Sequence, residues 1–201
     1  MVAAMHTFLF ADLVGFTALA EVEGDDRALE VVLEMQRRVR ALLAHHGAEE
    51  VKSIGDGVML RCGDPRQAVT LGLTLVRELD ENDGLPPVRV GIHTGPALSN
   101  DGDWYGRTVN VAARLCAVAP GGEVMVSEAT RQAAGEIPGV DWGDRELHWL
   151  RNVSEPVPTY LAGACAERGL APQLRAPRAA RRAAGLVTWV CPKAKAREAV
   201  T

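Results

Sequence analysis

Ten consecutive residues, Val-Lys-Ser-Ile-Gly-Asp-Gly-Val-Met-Leu at positions 51–60, leave the backbone few options. Two short apolar runs flank Gly55-Asp56-Gly57. Glycine tolerates positive φ and aspartate hydrogen-bonds its own turn, so the segment reads as a β-hairpin and calls for an antiparallel sheet around it. A hairpin accounts for both glycines, and for Asp56 as a turn residue. It leaves Lys52 unexplained, because a cation there lies in a strand expected to be largely buried. A local Lys52–Asp56 ion pair, worth about 0–1 kcal/mol if exposed, is one explanation. A site assembled with other parts of the chain is the other.

The segments around the hairpin supply the rest of a sheet. Residues 6–14 are apolar and β-branched, with Asp12 set inside the run, and Gly15-Phe16-Thr17 turns the chain after it. Residues 25–46 place Leu29, Val32, Leu33, Gln36, Val39, Leu42 and Leu43 at helical spacing, with arginines on the other face and Gly47 as the stop. Asp64-Pro65 caps and starts a second helix running to about residue 79. Residues 82–87 read as a loop, 88–95 as a strand and 99–103 as the polar tip of a turn. A helix from about Thr108 to Val118 puts Asn110 and Arg114 on one face and ends at Pro120-Gly121-Gly122. A short strand follows over 123–127, then a helix capped by Ser127, and closing strands over 140–149 and 157–161. This order predicts an α+β sandwich: a ferredoxin-like βαββαβ core extended by further elements, with helices on one mainly antiparallel sheet.

Composition sets the outer limits. The chain has 201 residues, 47% hydrophobic and 24% charged, enough to bury a core in one domain. We assign that domain to residues 1–163. Residues 164–201 are rich in Ala, Arg and Pro and lack a convincing apolar face, so they are expected to be a poorly ordered extension. No apolar run approaches the roughly 18–20 residues of a membrane span, and no leader pattern is visible, so a cytoplasmic protein is expected. Cys62, Cys116, Cys165 and Cys191 are scattered, which predicts buried free thiols rather than zinc ligands or disulfides. The extension carries eight Lys/Arg against two Asp/Glu, so the formal charge of -4 conceals an acidic body. That argues against nucleic-acid binding by the body and leaves the basic tail open to an unknown partner.

Two places carry chemistry. Asp12 ends a hydrophobic strand and is followed by Leu13-Val14-Gly15-Phe16-Thr17, which sets a carboxylate beside backbone N–H groups at a turn. Such a place suits a divalent cation next to a phosphate, although Asp12 reads equally as a turn residue. Asp56 becomes a second carboxylate for the same ion if the sheet brings the hairpin tip beside the end of the first strand. Asn110 and Arg114 suit a ribose oxygen and a phosphoryl group, or simply a solvated helix face.

Phe10-Ala-Asp12-Leu-Val-Gly-Phe-Thr17, Lys52-Ser-Ile-Gly-Asp56-Gly, Arg89-Val-Gly-Ile-His-Thr-Gly95 and Asp103-x-x-Gly-x-x-Val-Asn110-x-Ala-Ala-Arg114 together resemble the catalytic domain of class III nucleotidyl cyclases, over roughly residues 5–163. The resemblance implies a nucleotide cyclase fold, a homodimer with sites at the subunit interface, and two divalent cations per site, Mg²⁺ or Mn²⁺. It implies that Asp12, Asp56 and the Leu13 carbonyl hold the metals, that the N–H groups of Val14, Gly15, Phe16 and Thr17 cradle the triphosphate, and that Arg89 assists them. Lys52 and Asp103 would read the purine, Asn110 would orient the ribose and Arg114 would stabilise the transition state. Aspartate accepts from the exocyclic amine of adenine and meets a carbonyl in guanine, so ATP is the expected substrate and cyclic AMP the product. The alternatives are a guanylate-preferring cyclase and a weakly active nucleotide-binding regulatory module. His93 lies inside a strand and is expected to be structural. Arg151 is a further phosphate candidate, and Trp104 reads either as an interface residue or as a neighbour of the purine.

Overall fold

The structure, a computed structural model, describes residues 4–80 and 85–165. Most of the extension from 164 onward, and residues 82–84 of the expected loop, lie outside that range. The sheet is built around β1 (Met5–Leu13), which pairs antiparallel with β3 (Gly57–Cys62) on one side and β4 (Val88–Pro96) on the other. β2 (Ala48–Ile54) closes the hairpin and forms one edge. β4 continues in parallel to β7 (Val124–Ser127), which pairs with β10 (Val157–Ala164). β8 (Val140–Trp142) and β9 (Glu146–His148) both pair antiparallel with β10. The β4–β7 ladder is the one parallel pairing among the described strands, as a mainly antiparallel α+β sheet requires.

Alternation along the strands sorts the helices into layers. Leu9, Ala11 and Leu13 of β1, with Val88, Val90 and Ile92 of β4, face α2 (Asp25–Leu43) and α3 (Pro65–Asp80) in the largest core. The other face of the sheet carries Phe8 and Met59 against Val109 and Ala112 of α4 (Arg107–Val118). Asp12 shares the parity of Phe8 and Phe10, so it falls on the α4 side.

Two glycines of β4 let α4 come close. A Cβ on Gly91 would sit 2.0 Å from the Cys116 nitrogen and 2.7 Å from the Ala112 carbonyl oxygen, and one on Gly95 would sit 2.6 Å from Thr108 Oγ1. The obstruction at Gly91 is helix backbone, which cannot swing aside as a side-chain tip would. A chain of hydroxyls links β1, β4 and β7: Thr7 Oγ1 to Thr94 Oγ1, Thr94 to Thr130 and Ser127 to Thr130, each at 3.0 Å, all four residues buried. Ser127 also caps α5 (Glu128–Ala134), as expected.

Four details depart from the sequence reading. The turn at Gly15 leads directly into a helix, α1 (Phe16–Glu23), which Gly24 separates from α2. The buried stripe of α2 is Ala28, Val31, Met35 and Val39, and Leu29 and Leu33, expected inside, are exposed. Both stripes have helical spacing, so periodicity alone does not choose between adjacent faces. The strand expected over 140–149 is two strands, β8 and β9, separated at Gly143. Cys62 and Cys116 are buried free thiols, whereas Cys165 is exposed and Cys191 lies outside the described residues.

Replacing Gly91 by alanine is expected to cost about 3 kcal/mol or more, because the helix backbone must move. Gly163→Ala, where nothing lies within 4 Å of the added carbon, is the comparison and should change stability by less than about 1 kcal/mol. Urea unfolding monitored by circular dichroism measures both.

Candidate active site

Asp12 and Asp56 meet because of strand register. Asp12 lies opposite Gly57 on β3 and opposite Arg89 on β4, which places the tip of the β2–β3 hairpin beside the end of β1. The hairpin turns at Gly55 and Asp56, with a positive φ of 60° at Gly55. That is the arrangement of a two-residue turn with glycine at its first central position, and it presents Asp56 at the tip. Burial first, and then the charge of Asp12, raise the Asp56 carboxyl above its ordinary range. Two carboxylates held together against their repulsion are a favourable place for a cation.

The pair also fits a hard divalent ion. Gly57 keeps space clear over Asp12, since a Cβ there would stand 3.2 Å from Asp12 Oδ1. Leu13 buries its side chain in the main core, so its backbone is what remains for the site. No group of three or more His, Cys, Asp or Glu suited to a metal occurs among the described residues. A two-carboxylate set is what Mg²⁺ takes when water and phosphate complete its shell.

Arg89 occupies a place the sequence did not suggest. Its Nε and Nη2 both donate to Asp12 Oδ2, at 2.9 and 2.5 Å, and its Nη1 donates to the Ala117 carbonyl at 2.9 Å. In this structure Arg89 is therefore the counter-ion of Asp12 and a tie to the end of α4, not a free phosphate ligand. Strand parity explains it: Arg89 stands across from Asp12 on the α4 face. Val14 is also set apart from the phosphate-facing group, because its N–H donates to the Pro87 carbonyl at 2.9 Å. Gly15, with φ 80°, precedes the first turn of α1, whose leading N–H groups have no partners within the helix. Gly15, Phe16 and Thr17 remain of the phosphate-binding candidates read from the sequence.

Lys52 pairs with Asp103, not with Asp56: the Nζ–Oδ2 distance is 2.5 Å. The β2 ladder shifts register between Glu50 and Lys52, a bulge that re-aims the following side chain. Asp103 is brought to it by a second hairpin, β5 (Leu98–Asn100) and β6 (Asp103–Tyr105), which turns at Asp101 and Gly102, both with positive φ. The Trp104 N–H donates to Asp103 Oδ1 at 2.8 Å, so both carboxylate oxygens are held. The Lys52 hydrogen bond, followed by that N–H, keeps the Asp103 carboxyl below its ordinary range.

Asn110 and Arg114 are exposed on α4, and neither side chain hydrogen-bonds or ion-pairs with any described residue. The chain thus presents three groups that no described side-chain contact joins: the carboxylate pair with Arg89, the Lys52–Asp103 pair, and the polar face of α4. Arg151 is exposed in a turn and joins none of them. His93 is structural, as expected. Its Nδ1 lies 2.7 Å from Ser127 Oγ, and burial pushes the imidazole down to about 4, so it stays neutral near pH 7.

Comparison with known proteins identifies the family and agrees with the fold. Residues 4–146 match the family model described as the adenylate and guanylate cyclase catalytic domain. The pH-sensitive adenylate cyclase MT1302 of Mycobacterium tuberculosis is 39% identical over 155 residues, 74% of this chain and 39% of the relative. An adenylate cyclase of Streptomyces coelicolor is 37% identical over 60% of this chain and 32% of its own length. The chain therefore spans between a third and two fifths of these curated relatives. A solved adenylate cyclase from Trypanosoma brucei, described in its monomeric state, superposes with a TM-score of 0.74 at 26% identity, covering 84% of this chain and 92% of that one. By sequence and by fold, this chain belongs to the adenylate and guanylate cyclase catalytic domain family.

Proposed function

We propose that the chain is an adenylate cyclase, converting ATP to 3',5'-cyclic AMP and pyrophosphate through attack of the ribose 3'-oxygen on the α-phosphorus. The observation that carries this reading is the Lys52–Asp103 pair at 2.5 Å, a fixed donor beside a fixed acceptor. Adenine presents a ring-nitrogen acceptor next to an amine donor, which matches that order, whereas guanine sets a carbonyl against the Asp103 carboxylate. The relatives from M. tuberculosis and S. coelicolor, named as adenylate cyclases, support the same choice.

Asp12, Asp56 and the Leu13 carbonyl are the groups that would hold two divalent ions, Mg²⁺ or Mn²⁺. When bound, these supply neutralisation of the triphosphate charge and acidify the ribose hydroxyl. The Gly15, Phe16 and Thr17 N–H groups bind phosphate oxygens at the start of α1. Asn110 orients the ribose, and Arg114 offsets the charge that develops at the α-phosphate. Arg89 spends three of its five N–H donors on Asp12 Oδ2 and the Ala117 carbonyl, so its first role is to keep the metal-binding carboxylate in place.

The separation of the three groups on one protomer supports a homodimer in which two chains complete each site. Asp56 then serves the site that its subunit builds with Asp12, and Lys52, four residues away, serves the other with Asp103. The catalytic domain is residues 1–163. The basic extension 164–201 would suit an acidic partner by its charge.

Asp56→Ala is expected to lower cyclic AMP formation by about 100-fold or more, the scale of losing a preorganised electrostatic contact. It should also weaken Mn²⁺ binding read by electron paramagnetic resonance; unchanged turnover and Mn²⁺ affinity would remove the metal assignment. Lys52→Ala and Asp103→Ala should each lower the ATP-over-GTP preference in kcat/KM by about tenfold or more, as leaving a polar group unpaired predicts. Equal mixing of Asp56→Ala with Lys52→Ala chains should restore about a quarter of wild-type activity, because half the dimers are mixed and each has one intact site of two. Mixed dimers that form and stay inactive would rule out the division of labour.

A further inference from the structure

The β5–β6 hairpin that carries Asp103 is a two-stranded sheet of its own and shares no ladder with the main sheet. A hairpin of three-residue strands cannot hold its position alone in water. Something must seat it on the body, and side chains of β6 meet the body in two places. One is the Lys52–Asp103 pair. The other is Trp104, the residue next to Asp103.

Trp104 turns inward. It packs against the small core formed by Phe8, Met59, Val109 and Ala112. Its ring centroid lies 4.3 Å from that of His6 and 5.6 Å from that of Phe8, and the Arg61 guanidinium carbon stands 5.1 Å from it on the ring face. Arg61 is itself held: its Nε donates to Glu49 Oε1 at 2.5 Å, and its Nη1 lies 3.3 Å from His6 Nδ1. Glu49, Arg61 and Phe8 stand in one row across β2, β3 and β1. The indole is thus gripped by residues of two main-sheet strands, β1 and β3, and Glu49 of β2 holds the Arg61 that faces it. Burial first, and then the neighbouring Arg61, lower the His6 pKa, which favours the neutral ring beside a cation.

From these contacts we infer that Trp104 is a positioning residue for purine selection. Its side chain seats the free-standing hairpin, and its N–H orients the Asp103 carboxylate toward Lys52. The indole is partly buried, and the contacts described for it are all with residues of its own chain. The inference rests on the adenine-reading role of Lys52 and Asp103. Substituting Trp104 removes the seat and leaves the recognition pair chemically intact but misplaced.

The test is competition by ATP and by GTP against a fluorescent nucleotide analogue, with Mn²⁺ and the full chain, alongside steady-state turnover. Trp104→Ala is expected to weaken ATP binding and raise the KM for ATP by at least tenfold, and to lower the ATP-over-GTP ratio similarly. Mn²⁺ affinity and kcat at saturation should stay within about threefold, because Asp12, Asp56, Asn110 and Arg114 lie outside the clamp. Trp104→Phe, which keeps an aromatic ring over His6 and Phe8, should recover most of the discrimination, and thermal unfolding of both variants shows whether they are folded. An unchanged ATP-over-GTP ratio in folded Trp104→Ala, or no recovery in Trp104→Phe, overturns the proposal. If Asp103→Ala shifts the ratio and Trp104→Ala does not, the clamp fails and the adenine reading survives. If neither shifts it, the adenine reading fails and takes the clamp with it.

Discussion

The close approach of α4 to β4 is the constraint on which the site depends. At Gly91 the helix backbone occupies the volume where any other residue would place its Cβ. This seats α4 directly on the sheet, brings the Ala117 carbonyl within reach of Arg89, and sets the height at which Asn110 and Arg114 leave the helix. Strand alternation then does the rest, since Phe8, Phe10 and Asp12 share a face with Arg89, Gly91, His93 and Gly95. A packing requirement and a chemical site are consequences of the same period of two.

Polar groups are treated differently along the sheet. Deep in it, Thr7, Thr94, Ser127, Thr130 and neutral His93 satisfy one another, so burial costs little and the positions of β1, β4, β7 and α5 are pinned together. Near the ends of the strands, Asp12 and Asp56 are held close, with the Arg89 guanidinium on Asp12. Desolvation of Asp56 and its repulsion from Asp12 are costs that a stable fold alone would not keep. They are the kind of local inconsistency expected where a charged ligand completes the structure.

Much of this was readable from residue order. Gly-Asp-Gly between apolar runs specified a hairpin through local turn chemistry, and an aspartate inside an apolar strand marked a site because burial of a lone carboxylate is costly. Asp64 and Ser127 were recognisable as caps because capping is decided within a few residues. The buried face of α2 was not, since Leu29 and Leu33 have the same spacing as the stripe that is buried. A helix start after the turn at Gly15 was expected, but the extent of α1 was not, because Gly15 and Gly24 bracket only eight residues and short segments carry little periodic signal.

The sequence by itself determined the inventory: two carboxylates, a lysine and an aspartate for a purine edge, an asparagine and an arginine one helical turn apart, and the glycines between them. Only the tertiary structure decided who meets whom. Lys52 is four residues from Asp56 and 51 from Asp103, yet a bulge in β2 and an inward-facing Trp104 give it to the distant partner. Arg89 was assigned to phosphate by its motif and stands on Asp12 by strand register. Pairing between charges depends on distance in space, and space is set by register, parity and close packing, none of which is a property of neighbours in the chain.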